Sequence, residues 1–130
     1  WPGVLTVSVA AQPSLAWDLG ETHGTVAVRM PDDEIALAIL QQTGPLAVTS
    51  ANKHGAPPAT RILDAATQLG AVVEVYVDGG PREAQLPSTI LDCTGPAPVV
   101  LRAGAITEDD LGAIMVPLPQ AAPDEAAPQP

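Results

Sequence analysis

The first apolar run, Val4 to Ala10, is rich in β-forming residues and lies between the turn signals Pro2-Gly3 and Gln12-Pro13, which predicts a strand. Ser14 to Gly24 shows neither the helical nor the strand period. Thr25 to Met30 alternates well enough to predict a second strand, with polar residues at its ends and Pro31 as its stop. Asp32 is placed to cap a helix, Asp33 and Glu34 suit its positive first turn, and Ile35, Ile39 and Leu40 carry it to Gly44. Leu46 to Thr49 reads as a short buried-type strand that empties into Ser50 to Pro58, a loop too rich in Gly and Pro for regular structure. Thr60 is expected to cap a second helix, with Ile62, Ala66 and Leu69 on one face and Gly70 as its stop. Val72 to Val77 alternates as a strand, and Asp78-Gly79-Gly80-Pro81 turns the chain. Ser88 to Asp92 and Val99 to Arg102 predict two further strands. Thr107, with Asp110 three residues on, opens a last short helix.

Strands and helices interleave, yet several strand pairs are joined by links too short for a helical crossover. The sheet is therefore expected to be mixed. The fold class that follows is α/β: a twisted open sheet, parallel and antiparallel, with helices packed on it. No internal repeat is present, and no boundary interrupts residues 1–116. From Pro117 onward Pro, Ala, Gln and the acids Asp124 and Glu125 dominate, so residues 117–130 are expected to be a disordered tail. The chain begins without Met, at Trp1-Pro2-Gly3, and enters an apolar stretch at once; it reads as a fragment or processed piece, incomplete at its N-terminus.

Composition narrows the function classes. At 130 residues the chain has the size of one domain, able to bury roughly two thirds of its unfolded surface. Hydrophobic residues make up 46% of it, but the aromatics are only Trp1, Trp17 and Tyr76, so the core is expected to be aliphatic. Little is left for nucleic-acid bases to stack on. Fifteen acidic against five basic side chains give a net charge of -10, which repels a phosphate backbone. An RNA-binding module is argued down on both grounds. The five cations, Arg29, Lys53, Arg61, Arg82 and Arg102, are few enough for each placement to be informative. Cys93 cannot form an internal disulfide, and with His23 and His54 it does not make an ordinary zinc site, so no metal site is expected. No membrane span or export signal is read, which makes a cytoplasmic protein the default.

The common phosphate-binding and hydrolase fingerprints are absent. What remains are polar groups at strand ends, where open sheets commonly place ligands: Thr25, Arg29, Ser50, Asn52, Ser88 and Arg102. Each also has a plain structural reading. Ser50 and Asn52 can serve as a turn making its own backbone bonds, Arg29 and Arg102 as solvated or salt-bridged side chains, Thr25 and Ser88 as strand-edge hydroxyls, and Thr60 as a helix cap. Lys53, Arg61 and Arg82 read as surface charges, His23 and His54 as loop residues, and Asp78 as a turn acid.

The segments WPGVLT, TVAVRMP, GPLAVTSANKHGAPPAT, VDGG, PSTILDCTG and VVLRAGAI resemble, in order and at compatible spacing, successive blocks of the YrdC-type threonylcarbamoyl-AMP synthases. The resemblance covers about Trp1 to Ile106. It implies a YrdC-like fold and a reaction of L-threonine, bicarbonate and ATP giving threonylcarbamoyl-AMP and pyrophosphate. That product is used by partner transfer proteins to modify an adenosine in tRNA. Carried over residue by residue, it implies threonine binding by Arg29, Ser50 and Ser88, and ATP binding by Thr25, Asn52, Thr60 and Arg102, with Mg2+ accompanying the nucleotide. No residue is assigned as a protein nucleophile. The family's S-x-N pair matches Ser50-Ala51-Asn52, whereas its K-x-R pair lies upstream of the WPG block and is missing here. The resemblance thus implies activity that depends on that other half, with self-association or pairing of the incomplete fold. The alternative is a noncatalytic nucleotide or small-molecule binding module of the same fold, and related carbamoyltransferases share a similar site.

Overall fold

In the computed structural model the described residues are 1–83 and 86–112. The elements, in chain order, are β1 (Leu5–Ala10), β2 (Thr25–Val28), α1 (Glu34–Thr43), α2 (Ile62–Leu69) with a single 3-10 turn after it, β3 (Thr89–Asp92), β4 (Val99–Arg102) and α3 (Glu108–Gly112). The four strands form one sheet in the order β2-β1-β3-β4. β1 pairs antiparallel with β2 and parallel with β3, and β4 runs antiparallel to β3 with a bulge at Ile90/Leu91. The mixed α/β sheet expected from the short links is therefore present. The bend that opens β2 is a tight one: His23 lies at φ 51 and Gly24 at φ 79, and Thr25 N donates to Thr22 O at 3.0 Å.

Register assigns the two faces. Strand side chains alternate, and partners opposite each other in a ladder share a face. Val7 stands between Val28 and Leu91, so Leu5, Val7 and Val9 share an aliphatic face with Val26, Val28 and Leu91. The other face carries Thr6, Ser8, Thr25, Ile90 and Asp92, joined by Arg102 opposite Ile90. Among the described residues the buried large apolar side chains are Leu91 and Leu111, beside the fully buried Thr89. Thr89 is accommodated because its Oγ1 both donates to Ile106 O and accepts from Ile106 N, at 2.7 and 3.0 Å. A buried hydroxyl satisfied twice costs little.

The helices follow their end signals with two corrections. Asp33, not Asp32, is the cap of α1: its carboxylate accepts from Ala36 N at 2.8 Å and its other oxygen pairs with Arg82 at 2.6 Å. At α2 the cap position falls on Arg61, with no side-chain cap bond, so Thr60 does not cap it. The chain reaches Arg61 in an extended conformation, and the Thr60 carbonyl is held instead by Arg82 N at 2.8 Å. Thr107 and Asp110 make the reciprocal box expected at α3. Leu46 to Thr49 and Val72 to Val77, expected as strands, form no ladder among the described residues. Their apolar side chains face outwards, Val48 at 85% exposure and Val72 at 84%. The boundary at 116/117 and the tail lie outside the described residues.

Candidate functional site

Thr6, Ser88 and Arg102 come together on the polar face from three neighbouring strands. Ser88 is the residue before β3, Thr6 is on β1 opposite Ile90, and Arg102 ends β4 opposite the same Ile90. The Arg102 guanidinium is fixed by three bonds to one residue: Nε and Nη2 donate to Ser88 O at 3.1 and 2.7 Å, and Nη2 also donates to Ser88 Oγ at 2.9 Å. Ser88 Oγ lies 2.8 Å from Thr6 Oγ1. Ser88 is buried, while Arg102 is exposed as a residue and keeps a cation at the rim. Gly104 lets this happen. A Cβ at that position would run into Pro87 O, Thr89 N and the Ser88 carbonyl carbon, so only glycine lets the chain after β4 lie against the backbone that presents Ser88.

Arg29 lies just past the end of β2, after Val28, and its Nε donates to Gly3 O at 2.7 Å. Gly3 N in turn donates to Met30 O at 2.9 Å, two residues out of the β1–β2 register, which ties the chain before β1 to the chain after β2. Arg29 and Arg102 thus follow or end the two edge strands, β2 and β4, which are three inter-strand steps or ~14 Å apart. Two separated cations suit two separate anionic groups. Thr25 is not brought to the Thr6–Ser88–Arg102 cluster: it opens β2 opposite Ala10, four residues or ~13 Å along the strand from Arg29, and its hydroxyl donates to Thr22 O. Asp92 shares the face, but Thr94 N–H bonds, then the Thr94 side chain, hold its carboxyl below the usual carboxylate range, which marks a turn acid rather than a base.

The loop from Ser50 to Thr60 is a second polar group, joined to the first by no hydrogen bond or ion pair among the described residues. Asn52 organises it. Its Nδ2 donates to Lys53 O and Ala56 O at 2.8 and 2.9 Å, while its Oδ1 is buried and without a partner among the described residues. Lys53 N donates to Gln68 Oε1 at 2.9 Å, which ties the loop to α2. Ser50 is exposed at the mouth of the loop. Thr60 lines an open depression of ≈ 360 Å³ with Pro57, Pro58, Ala59, Asp64, Thr67 and Gln68. No three metal-ligating side chains converge among the described residues. Sequence reasoning missed Thr6 and Gly104. Both lie inside the blocks that carried the resemblance, but only the parallel β1–β3 register and the chain crossing behind Ser88 give them a role.

A mixed sheet with these polar blocks at its strand ends defines a class. The profile of the Sua5/YciO/YrdC family, described as "Telomere recombination", matches residues 1–104, and the chain belongs to that family. A Mycobacterium tuberculosis (strain H37Rv) protein provisionally named as a threonylcarbamoyl-AMP synthase is 47% identical over 115 residues, covering 88% of this chain and 53% of its own length. Threonylcarbamoyl-AMP synthase of Bacillus subtilis is 40% identical over 121 residues, 91% of this chain and 35% of that protein. Among solved structures, Pyrococcus abyssi Sua5 complexed with L-threonine superposes with a TM-score of 0.80 at 32% identity, covering 91% of this chain and 35% of that one. The chain spans about half the length, or less, of these relatives.

Proposed function

We propose that this chain supplies the part of a threonylcarbamoyl-AMP synthase site that holds L-threonine and part of ATP. The observation that carries the reading is the Thr6–Ser88–Arg102 cluster, with Arg29 just past the end of the opposite edge strand. In the proposed reaction the threonine amine adds to bicarbonate with loss of water, and a carbamate oxygen attacks the α-phosphorus of ATP. The product is threonylcarbamoyl-AMP and the leaving group is pyrophosphate. No protein nucleophile is needed, so the chain's contribution is position and charge. The Arg29 fork takes the threonine carboxylate, Ser88 and Ser50 take the amino acid's polar atoms, and Arg102 faces phosphate. Asn52 Oδ1, an acceptor, suits a hydroxyl or amino donor of the nucleoside rather than a phosphate. Thr60 and Thr25 belong to the ATP side. Mg2+ enters with the nucleotide as part of the substrate. The product passes to tRNA-modifying transfer proteins in the cytoplasm.

Pyrophosphate release tests the reading. In a protein of the relatives' full length that carries this chain, release should require L-threonine and bicarbonate together, and the 130-residue chain alone should release little. Binding of threonine and ATP with no pyrophosphate from the longer protein would favour a noncatalytic binding module.

A further inference from the structure

The Ser88 hydroxyl has one proton and two lone pairs to distribute. One lone pair is taken by Arg102 Nη2 at 2.9 Å. The neighbour at 2.8 Å, Thr6 Oγ1, can stand on either side of the second bond. If Ser88 donates to Thr6, Ser88 offers an incoming ligand only a lone pair. If Thr6 donates to Ser88, both Ser88 lone pairs are filled, and its own proton is left for an acceptor on the ligand. Arg102 cannot swing away to relax this choice, because the same guanidinium is anchored twice on Ser88 O. Thr6 is itself held in the central strand β1, paired to Ile90, with a β-branched side chain that restricts χ1.

We propose that Thr6 is a positioning residue for Ser88: its hydroxyl donates to Ser88 Oγ in the liganded state and turns the Ser88 proton towards an acceptor oxygen of the amino-acid substrate. The proposal rests on the threonine reading above for the ligand, and on the three-residue geometry for the mechanism. An amine-type donor at the same place selects the opposite arrangement, so the pair discriminates by hydrogen-bond polarity rather than by shape.

Two measurements test it. The first needs no ligand: in the 130-residue chain, Thr6→Val should shift the NMR signal of the Arg102 Nε–H and speed its exchange with water, while Thr6→Ser should leave both near wild type. Valine is a good strand residue of nearly the same shape, so the fold should survive. An unmoved Arg102 signal in Thr6→Val overturns the coupling, whatever the ligand. The second is a double-mutant cycle in a protein of the relatives' full length, reading L-threonine affinity by calorimetry. Loss of one buried hydrogen bond predicts about fivefold to twentyfold weaker binding for Thr6→Val, recovery to within about twofold for Thr6→Ser, and no further loss when Thr6→Val is added to Ser88→Ala. An equal loss in both backgrounds, or no recovery with serine, overturns the positioning role. A coupled Arg102 signal in a protein that binds no L-threonine overturns the reading of the ligand and leaves the proposal without its donor role.

Discussion

At Gly104 a single methyl group is expected to disturb the site from behind. The Cβ of Gly104→Ala would meet backbone atoms of Pro87, Ser88 and Thr89, none of which is the free end of a side chain. Overpacking of this kind costs about 1–3 kcal/mol, and the strand segment that must give way is the one that presents Ser88. Urea unfolding should show the loss of stability, and the Arg102 Nε–H signal should move with it; unchanged stability with an unmoved signal would mean that the chain after β4 is free to step aside. Asn52 has a comparable sensitivity. Asn52→Ala removes the donor shared by Lys53 O and Ala56 O, whereas Asn52→Asp sets a carboxylate against those two carbonyls. Aspartate is the closer in shape and should nonetheless destabilise more, with alanine costing about 1–2 kcal/mol. Thermal melts of the two variants decide it, and equal melting points would show the loop to be held by Lys53 N and Gln68 instead. The arginines also behave less independently than their separate ligands suggest. On the proposed reading Arg102→Ala removes the cation assigned to phosphate and a donor to Ser88 Oγ together, so it should weaken both ATP and threonine in calorimetric titrations, while Arg29→Lys, which forfeits the fork, should weaken threonine alone.

Among the elements, those whose signals are local were legible and those that depend on distant partners were not. β1, β2, β3 and β4 emerge where alternation and turn residues place them, because each finds a neighbour among the described residues. α3 opens where Thr107 and Asp110 can bond each other. Leu46 to Thr49 and Val72 to Val77 carry an equally good strand pattern, yet a pattern names a strand only if another strand pairs with it. The α1 cap moved from Asp32 to Asp33 because two adjacent acids compete for one position, and Arg82, distant in sequence, pairs with the second. The two arginines were visible residue by residue, but the parallel register that brings Ser88 beside Thr6 spans eighty-two positions and leaves no trace in spacing. The α3 box also makes a pH prediction. Thr107 side-chain and then backbone bonds hold the Asp110 carboxyl below its ordinary value of 3.8, so their stabilisation is complete above that value and is lost as pH falls through the lowered one. Hydrogen exchange at Leu111 N, which donates to Thr107 O, should lose protection only below pH 3.8. Asp110→Asn, which cannot titrate, should flatten that dependence; an onset nearer neutrality would place the cause elsewhere.

For the whole molecule, the outward-facing apolar residues govern how it meets other chains. The chain follows P. abyssi Sua5 with a TM-score of 0.80 over 91% of its own residues but only 35% of that structure, so its path is one that a larger body shares. Val48 and Val75 stand 85% and 73% exposed on the two segments that have strand pattern but no ladder, and Val72, in the 3-10 turn after α2, is 84% exposed. Exposed apolar strand segments with unpaired backbone groups are templates for pairing with further chain. The chain should satisfy such groups with copies of itself, despite a net charge of -10 that opposes close approach. Sedimentation should therefore show association that increases with salt, because screening removes the repulsion while the apolar contact remains. Val48→Asp with Val75→Asp should reduce that association without disturbing the Arg102 signal, since neither valine lies in the four-stranded sheet. A chain that stays monomeric at high salt would show that these segments do not bind other strands.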